Sequence, residues 1–221
     1  MKRNIDFSVD EFYHLYNRGT DKRAIFLDEK DYNRFMTLLF TANSSNAIHL
    51  SNYDWKDFKS LFQLKRKETL VDIGSYCLMP NHFHLLVHEK VENGITNFTQ
   101  KLLTAYSMYF NKKYSRTGSL FEGRFKARHA DDDQYLKYLF SYIHLNPIKL
   151  IDSQWKENGI SSRERAEKYL TQYPYSSYKD YMGDDRVEKS ILMKDSFPEY
   201  FKSAADFHLI MKEFLNFSDD R

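Results

Sequence analysis

A single cysteine, Cys77, stands in the 221 residues, so no disulfide forms within the chain and no cysteine-based zinc site can be assembled. Prolines number four and glycines seven, and the chain has no internal repeat and no low-complexity tract. No apolar run reaches the roughly 18 residues that suggest a membrane span. The opening residues, MKRNIDFSVDEF, lack the apolar stretch of an export signal. A reducing cytoplasm is the expected compartment. Net charge is also small: 33 basic residues against 31 acidic ones leave +2, which alone does not mark a nucleic-acid binder.

Aromatic residues are abundant, with 18 Phe, 17 Tyr and 2 Trp. They read either as core or as a surface on which unpaired bases stack. Charge is unevenly distributed. Residues 1–150 carry 22 basic and 17 acidic side chains, whereas 151–221 carry 11 and 14. Within 101–128, seven basic residues face one acid, Glu122. That stretch is a candidate phosphate-binding strip.

Hydrophobic periodicity predicts strands at 12–17, 71–79, 82–88 and 119–129. It predicts helices at 29–40, with Asp28 as N-cap, and at 54–67, 95–114 and 131–146. Pro80-Asn81 reads as the turn of a hairpin, and Asn146-Pro147 as the end of the last helix. Residues 41–53 and 172–181 read as loops. A strand-helix-strand order repeated twice folds into one antiparallel sheet with helices packed on one face, leaving the other for a site.

Two constellations carry chemistry. His82-Phe83-His84 puts two imidazoles on one face of a strand while Phe83, Leu85 and Val87 enter the other. Such a pair suits a divalent ion, although two unrelated strand histidines read the same way. His88 falls on the same face but far along the strand. Tyr142 and Asn146 are four apart on a helix and share one face. A phenol there stands one turn from a carboxamide oxygen; a surface tyrosine near a helix-terminal Asn fits equally. His144 is a candidate proton acceptor for that phenol. Arg124, Lys126 and Arg128 alternate along the predicted strand, and Arg18 precedes Gly19, where a backbone can approach closely. These four are candidate DNA contacts, with Lys112, Lys113 and Arg116 behind them. Tyr114 and Phe121 are candidates for base stacking or for the core.

At these residues the chain resembles the single-tyrosine, His-hydrophobic-His transposases of bacterial insertion sequences, especially the REP-associated branch. The resemblance spans roughly 12–182. It rests on Tyr16-Asn17-Arg18-Gly19, Met79-Pro80-Asn81-His82-Phe83-His84-Leu85-Leu86-Val87, Gly118-Ser119-Leu120-Phe121-Glu122-Gly123-Arg124-Phe125-Lys126, Tyr142-Ile143-His144-Leu145-Asn146-Pro147 and Tyr175-Ser176-Ser177-Tyr178. It implies an α+β fold with a ferredoxin-like core over 1–150 and a helical C-terminal extension over 151–221; the insert at 41–70 departs from the pattern, being longer than in compact relatives. It implies Tyr142 as nucleophile, with His82, His84 and Asn146 around Mg²⁺ or Mn²⁺. Cleavage and rejoining of single-stranded DNA bearing hairpins, through a 5′-phosphotyrosine, would follow, in a monomer or a homodimer. A non-catalytic hairpin-DNA-binding regulator on the same scaffold is the alternative.

Overall fold

The computed structural model describes residues 5–48, 50 and 55–216. Four strands form one antiparallel sheet: β1 (Phe12–Arg18), β2 (Val71–Met79), β3 (His82–Glu89) and β4 (Lys126–His129). Their spatial order is β2-β3-β1-β4. With α1 (Glu29–Thr41) between β1 and β2, and α2 (Gly94–Lys113) between β3 and β4, this is the ferredoxin-like arrangement. The expected α+β fold is therefore the observed one.

Alternation along the strands sorts side chains to the two faces. Tyr13, Leu15, Phe83, Leu85 and Val87 join Phe35, Phe98 and Tyr106 in the core beneath α1 and α2. Helix α1 begins where Asp28 accepts from the Asp31 backbone and Asp31 answers in return, a complete capping box. Asp31 also accepts from the Tyr109 and Tyr114 hydroxyls at 3.0 and 2.8 Å and from Lys113 at 2.7 Å. One buried carboxylate thus ties the two helices together.

The second face of the sheet is not bare. Helix α3 (Asp133–Leu145) lies on it, burying Leu136, Leu139, Phe140 and Ile143 against Cys77, Met79 and Leu86. Each such side chain contributes about 1.5–3 kcal/mol, far more than the single Asp132 cap to Tyr135 N at 2.9 Å. The apolar stripe therefore decides which way α3 turns its remaining faces.

The C-terminal part comprises α4 (Trp155–Asn158), α5 (Arg163–Gln172), α6 (Tyr178–Tyr181) and α7 (Ala204–Asn216). It feeds both cores. Ile191 and Leu192 join the α1/α2 side, and Tyr173 and Phe197 the α3 side. The Phe197 ring occupies the space above Gly74, where an added Cβ would meet it at 2.6 Å. Residues 175–177 run along the outer edge of β2: Leu78 N donates to Tyr175 O at 2.9 Å and Ser177 N to Tyr76 O at 3.0 Å. That edge is covered rather than open to another chain.

Three expectations differ in detail. Residues Trp55–Gln63 form a 3₁₀ segment interrupted at Asp57 rather than an α-helix; position 54, with 49 and 51–53 of the expected loop, lies outside the described residues. The 119–129 strand is only Lys126–His129, because Gly118 and Gly123 turn the chain at φ of +82° and +70°. Asn146 does not leave the α region before Pro147. It keeps φ −52° and ψ −38° and opens a 3₁₀ turn, Asn146–Leu150.

Candidate active site

Strand β3 carries His82, His84, Leu86 and His88 toward the α3 face, while Leu86 is the residue that packs under the helix. In register, His84 lies between Tyr16 of β1 and Cys77 of β2. The His82 and His84 rings sit 5.1 Å apart and perpendicular. From above, α3 lowers Tyr142 to 5.6 Å from the His84 ring, centroid to centroid. Asn146, one turn on, donates its amide to Tyr142 O at 2.8 Å, which leaves its side-chain oxygen available. All four residues line one cleft of about 590 Å³, and all come from a single chain.

The hydrogen bonds around the imidazoles decide which nitrogen faces outward. His82 Nδ1–H donates to Asn81 Oδ1 at 2.6 Å, and Asn81 is itself oriented by donating to Lys22 O at 3.0 Å. His84 Nδ1 shares a 2.8 Å hydrogen bond with His14 Nε2. Each candidate ligand thus has Nδ1 occupied and Nε2 uncommitted. Burial holds the rings neutral. His14 and His82 are lowered to about 4, by desolvation first and then by nearby cations, and His84 is lowered well below its ordinary value by desolvation first, then by the His14 and His82 imidazoles and Lys156. Neutral nitrogens are what a metal requires. Two imidazoles and a carboxamide oxygen suit a divalent cation that completes its shell with outside oxygens. Among the described residues no group of three His, Cys, Asp or Glu gathers as a metal cluster; Asn146 lines the same cleft as His82 and His84.

The lining is strongly cationic: Arg18, Lys22, Lys126, Lys149 and Lys156 against one carboxylate, Glu122. A cleft of one sign concentrates phosphate. Lys126 pairs with Tyr16 and Arg128 with His14 across the β1–β4 register, which puts both basic residues on the site face. The Arg128 guanidinium lies 4.4 Å from the Tyr135 ring of α3. Arg124 is exposed but falls in the bend before β4, outside the alternation that groups the other two. Arg18 is the last residue of β1, not part of a loop, and is held in an ion pair with Glu122. Gly19 makes a tight turn possible, since a Cβ there would stand 2.2 Å from Arg23 O.

Several candidates from the sequence lie elsewhere. His144 points away from the cleft into the C-terminal core, wholly buried, with Nε2 2.7 Å from Ser177 Oγ, so it does not receive the Tyr142 proton. His88 sits at the far end of the sheet beside Asp72 at 3.3 Å. Lys113 is consumed by Asp28 and Asp31, Arg116 lies 5.6 Å from the Phe110 ring, and Phe121 belongs to the core. Conversely, reasoning from sequence passed over His14, Tyr16, Lys149 and Lys156. The signal for the first two was present, because positions 14 and 16 alternate on β1 as 82 and 84 do on β3. For the two lysines no local pattern existed.

Paired strand histidines thus lie beneath a helix-borne tyrosine and asparagine, on a ferredoxin-like sheet in a basic cleft. Residues 31–146, 116 of the 221, match the model of the family described as Transposase IS200 like, and the chain belongs to that family. Among curated proteins none matches. A solved structure described as "Structure of the REP associates tyrosine transposase bound to a REP hairpin" superposes with a TM-score of 0.50, over 85% of this chain and 90% of that one, at 10% identity. At that identity the likeness is one of fold. No helix among the described residues is long and apolar enough to cross a membrane.

Proposed function

We propose that the protein is a single-stranded-DNA endonuclease and strand transferase acting at hairpin-containing DNA, with Tyr142 as nucleophile. The observation that carries this reading is the 5.6 Å approach of the Tyr142 ring to His84 in a cleft that also holds His82 and Asn146.

The Tyr142 oxygen attacks the scissile phosphorus and forms a Tyr–O–P bond to the downstream 5′ phosphate. The bond from phosphorus to the upstream 3′ oxygen breaks, the phenol proton passes to solvent, and the 3′ oxygen takes one up. Because one phosphoester replaces another, the adduct can be resolved by a second 3′-OH, which joins strands without a separate energy source. His82, His84 and Asn146 would hold Mg²⁺ or Mn²⁺, which when bound polarises the phosphate and offsets charge developing on it. Asn81 and His14 occupy the two Nδ1 atoms, which leaves the Nε2 atoms for the cation. Lys126 and Arg128, with Arg124 and Arg18 at the rim, bind flanking phosphates. The hairpin is suggested by the DNA bound to the structural neighbour. Such a protein would work in the cytoplasm on the nucleoid, as a monomer or a homodimer.

The test is a 3′-labelled pool of single strands, each with an imperfect hairpin and randomised flanks, incubated with Mn²⁺. Transfer of label to protein, absent in Tyr142→Phe, is expected. Tight binding with no adduct in the wild type would instead identify a regulator. Cleavage that persists in Tyr142→Phe would identify a hydrolase that uses water.

A further inference from the structure

The chain beyond Asn146 returns to the cleft. After the 3₁₀ turn, the backbone N–H groups of Ile151 and Asp152 both donate to Ile148 O, at 2.9 and 2.8 Å. Asp152 then accepts from the backbone and hydroxyl of Ser161 at 2.9 and 2.8 Å, closing the segment around α4. Trp155 packs against the core formed by Leu145, Ile148 and Leu170. With its helix held on both sides, the half-buried Lys156 reaches over the cleft. Its Nζ stands 4.0 Å from the centroid of the Tyr142 ring.

That geometry is specific to this lysine. Lys22 and Lys149 line the same cleft, but it is Lys156 that lies over the Tyr142 ring. Lys156 also lines the cleft that holds His82, His84 and Asn146. A cation over a phenol is attracted to the ring face. The attraction grows as the O–H bond breaks and the ring becomes electron-rich, and an interaction that strengthens along the reaction lowers the barrier. A phosphate attacked by the Tyr142 oxygen must come within bonding distance of it, which brings the non-bridging oxygens toward the same ammonium.

We infer that Lys156 binds the scissile phosphate at Tyr142, donating from Nζ to a non-bridging oxygen while its charge faces the attacking ring. The C-terminal segment then supplies a part of the reaction site, not only its surroundings. This rests on Tyr142 being the nucleophile.

The experiment measures the rate of adduct formation and, separately, the affinity for the same hairpin pool by fluorescence anisotropy, in wild type, Lys156→Gln and Lys156→Arg. Lys156→Gln should lower the adduct rate by about a hundredfold, as loss of one preorganised transition-state donor does, while affinity changes less than about threefold, as befits one phosphate contact among several. Lys156→Arg, which keeps the charge, should recover most of the rate. A Lys156→Gln rate equal to wild type overturns the inference and leaves Tyr142 as nucleophile. A loss of rate matched by an equal loss of affinity, or shared fully by Lys156→Arg, also overturns it. A wild type that forms no adduct overturns the nucleophile reading and this inference together.

Discussion

His14 on β1 and His84 on β3 share a hydrogen bond of 2.8 Å between Nε2 and Nδ1, with their rings stacked 5.0 Å apart. If His84 offers Nε2 to a cation, its Nδ1 must carry the proton and His14 Nε2 must accept it, so His14 sets the tautomer and the aim of the ligand. His14→Leu should weaken Mn²⁺ binding by about 10–100-fold, in line with the loss of an outer-shell partner. His14→Gln, which can still accept there, should retain most of the affinity. Calorimetric titration of the DNA-free protein with Mn²⁺ checks this, and an unchanged isotherm for His14→Leu would show that the pair is merely packed.

Arg18 and Glu122 hold each other at the mouth of the cleft, and both are exposed to solvent. The pair contributes little to folding, but its carboxylate is the one acid lining an otherwise basic cleft. Glu122→Gln should therefore tighten single-stranded DNA several-fold at low salt, with the gain fading as salt rises. Arg18→Gln should do the reverse. Anisotropy at two salt concentrations decides. An affinity that falls in Glu122→Gln would mean that Arg18 needs its partner in order to be positioned.

Much of this was readable in the residue order. Alternation at 12–17 and 82–88, the Asp28 cap and the stripe at 136, 139, 140 and 143 are all local signals, the alternation with a period of 2 and the stripe with one of 3.6. They fix which side of an element is buried, and hence that His82 and His84 share a face and that Tyr142 sits one turn from Asn146. What could not be read was anything that depends on where distant segments dock. His144 reads like a neighbour of Tyr142, yet two helix positions are about 200° of rotation, which sends it to Ser177. Lys156 reads like one surface charge in an acidic tail, and only the docking of α4 places it on Tyr142. The β4 strand was overdrawn because two glycines with positive φ interrupt its approach.

The buried imidazoles make folding sensitive to acid in a particular window. His14 and His82 are lowered to about 4 and His144 to about 3, in each case by burial first. In the unfolded chain they protonate near 6.5, so unfolding takes up protons once the pH falls below that value, and stability declines as the pH drops toward 4. For His14 alone the loss approaches something on the order of 3 kcal/mol by pH 4. Urea unfolding at closely spaced pH values from 7 to 5 isolates the effect, because ordinary carboxylates stay ionised across that range. Stability that holds constant or increases between pH 6.5 and 5 would contradict it.

Arg186 fastens the C-terminal segment to β2 through one buried cluster. Its guanidinium donates to the Asp180 carboxylate at 2.8 Å, to the Tyr76 hydroxyl at 2.5 Å, and to the Pro174 and Ser176 carbonyls at 2.7 and 2.9 Å. The Asp180 side chain is fully buried. Removing the cation alone strands a carboxylate and several oxygens away from water, a change that typically costs about 3–5 kcal/mol, a large share of the 5–15 kcal/mol of a typical domain. Removing both charges leaves fewer unpaired groups. Arg186→Leu should therefore unfold at clearly lower urea than wild type, and adding Asp180→Leu should recover part of the difference. Because residues 175–177 run along β2 beside this cluster, and Ser177 in turn meets His144 on α3, the single variant should also loosen the helix that carries Tyr142. Faster amide hydrogen exchange in α3 at residues 139–145 would report that coupling. A single variant as stable as wild type, with α3 exchange unchanged, would show that the apolar contacts of Tyr173 and Phe197 seat the segment without the ion pair.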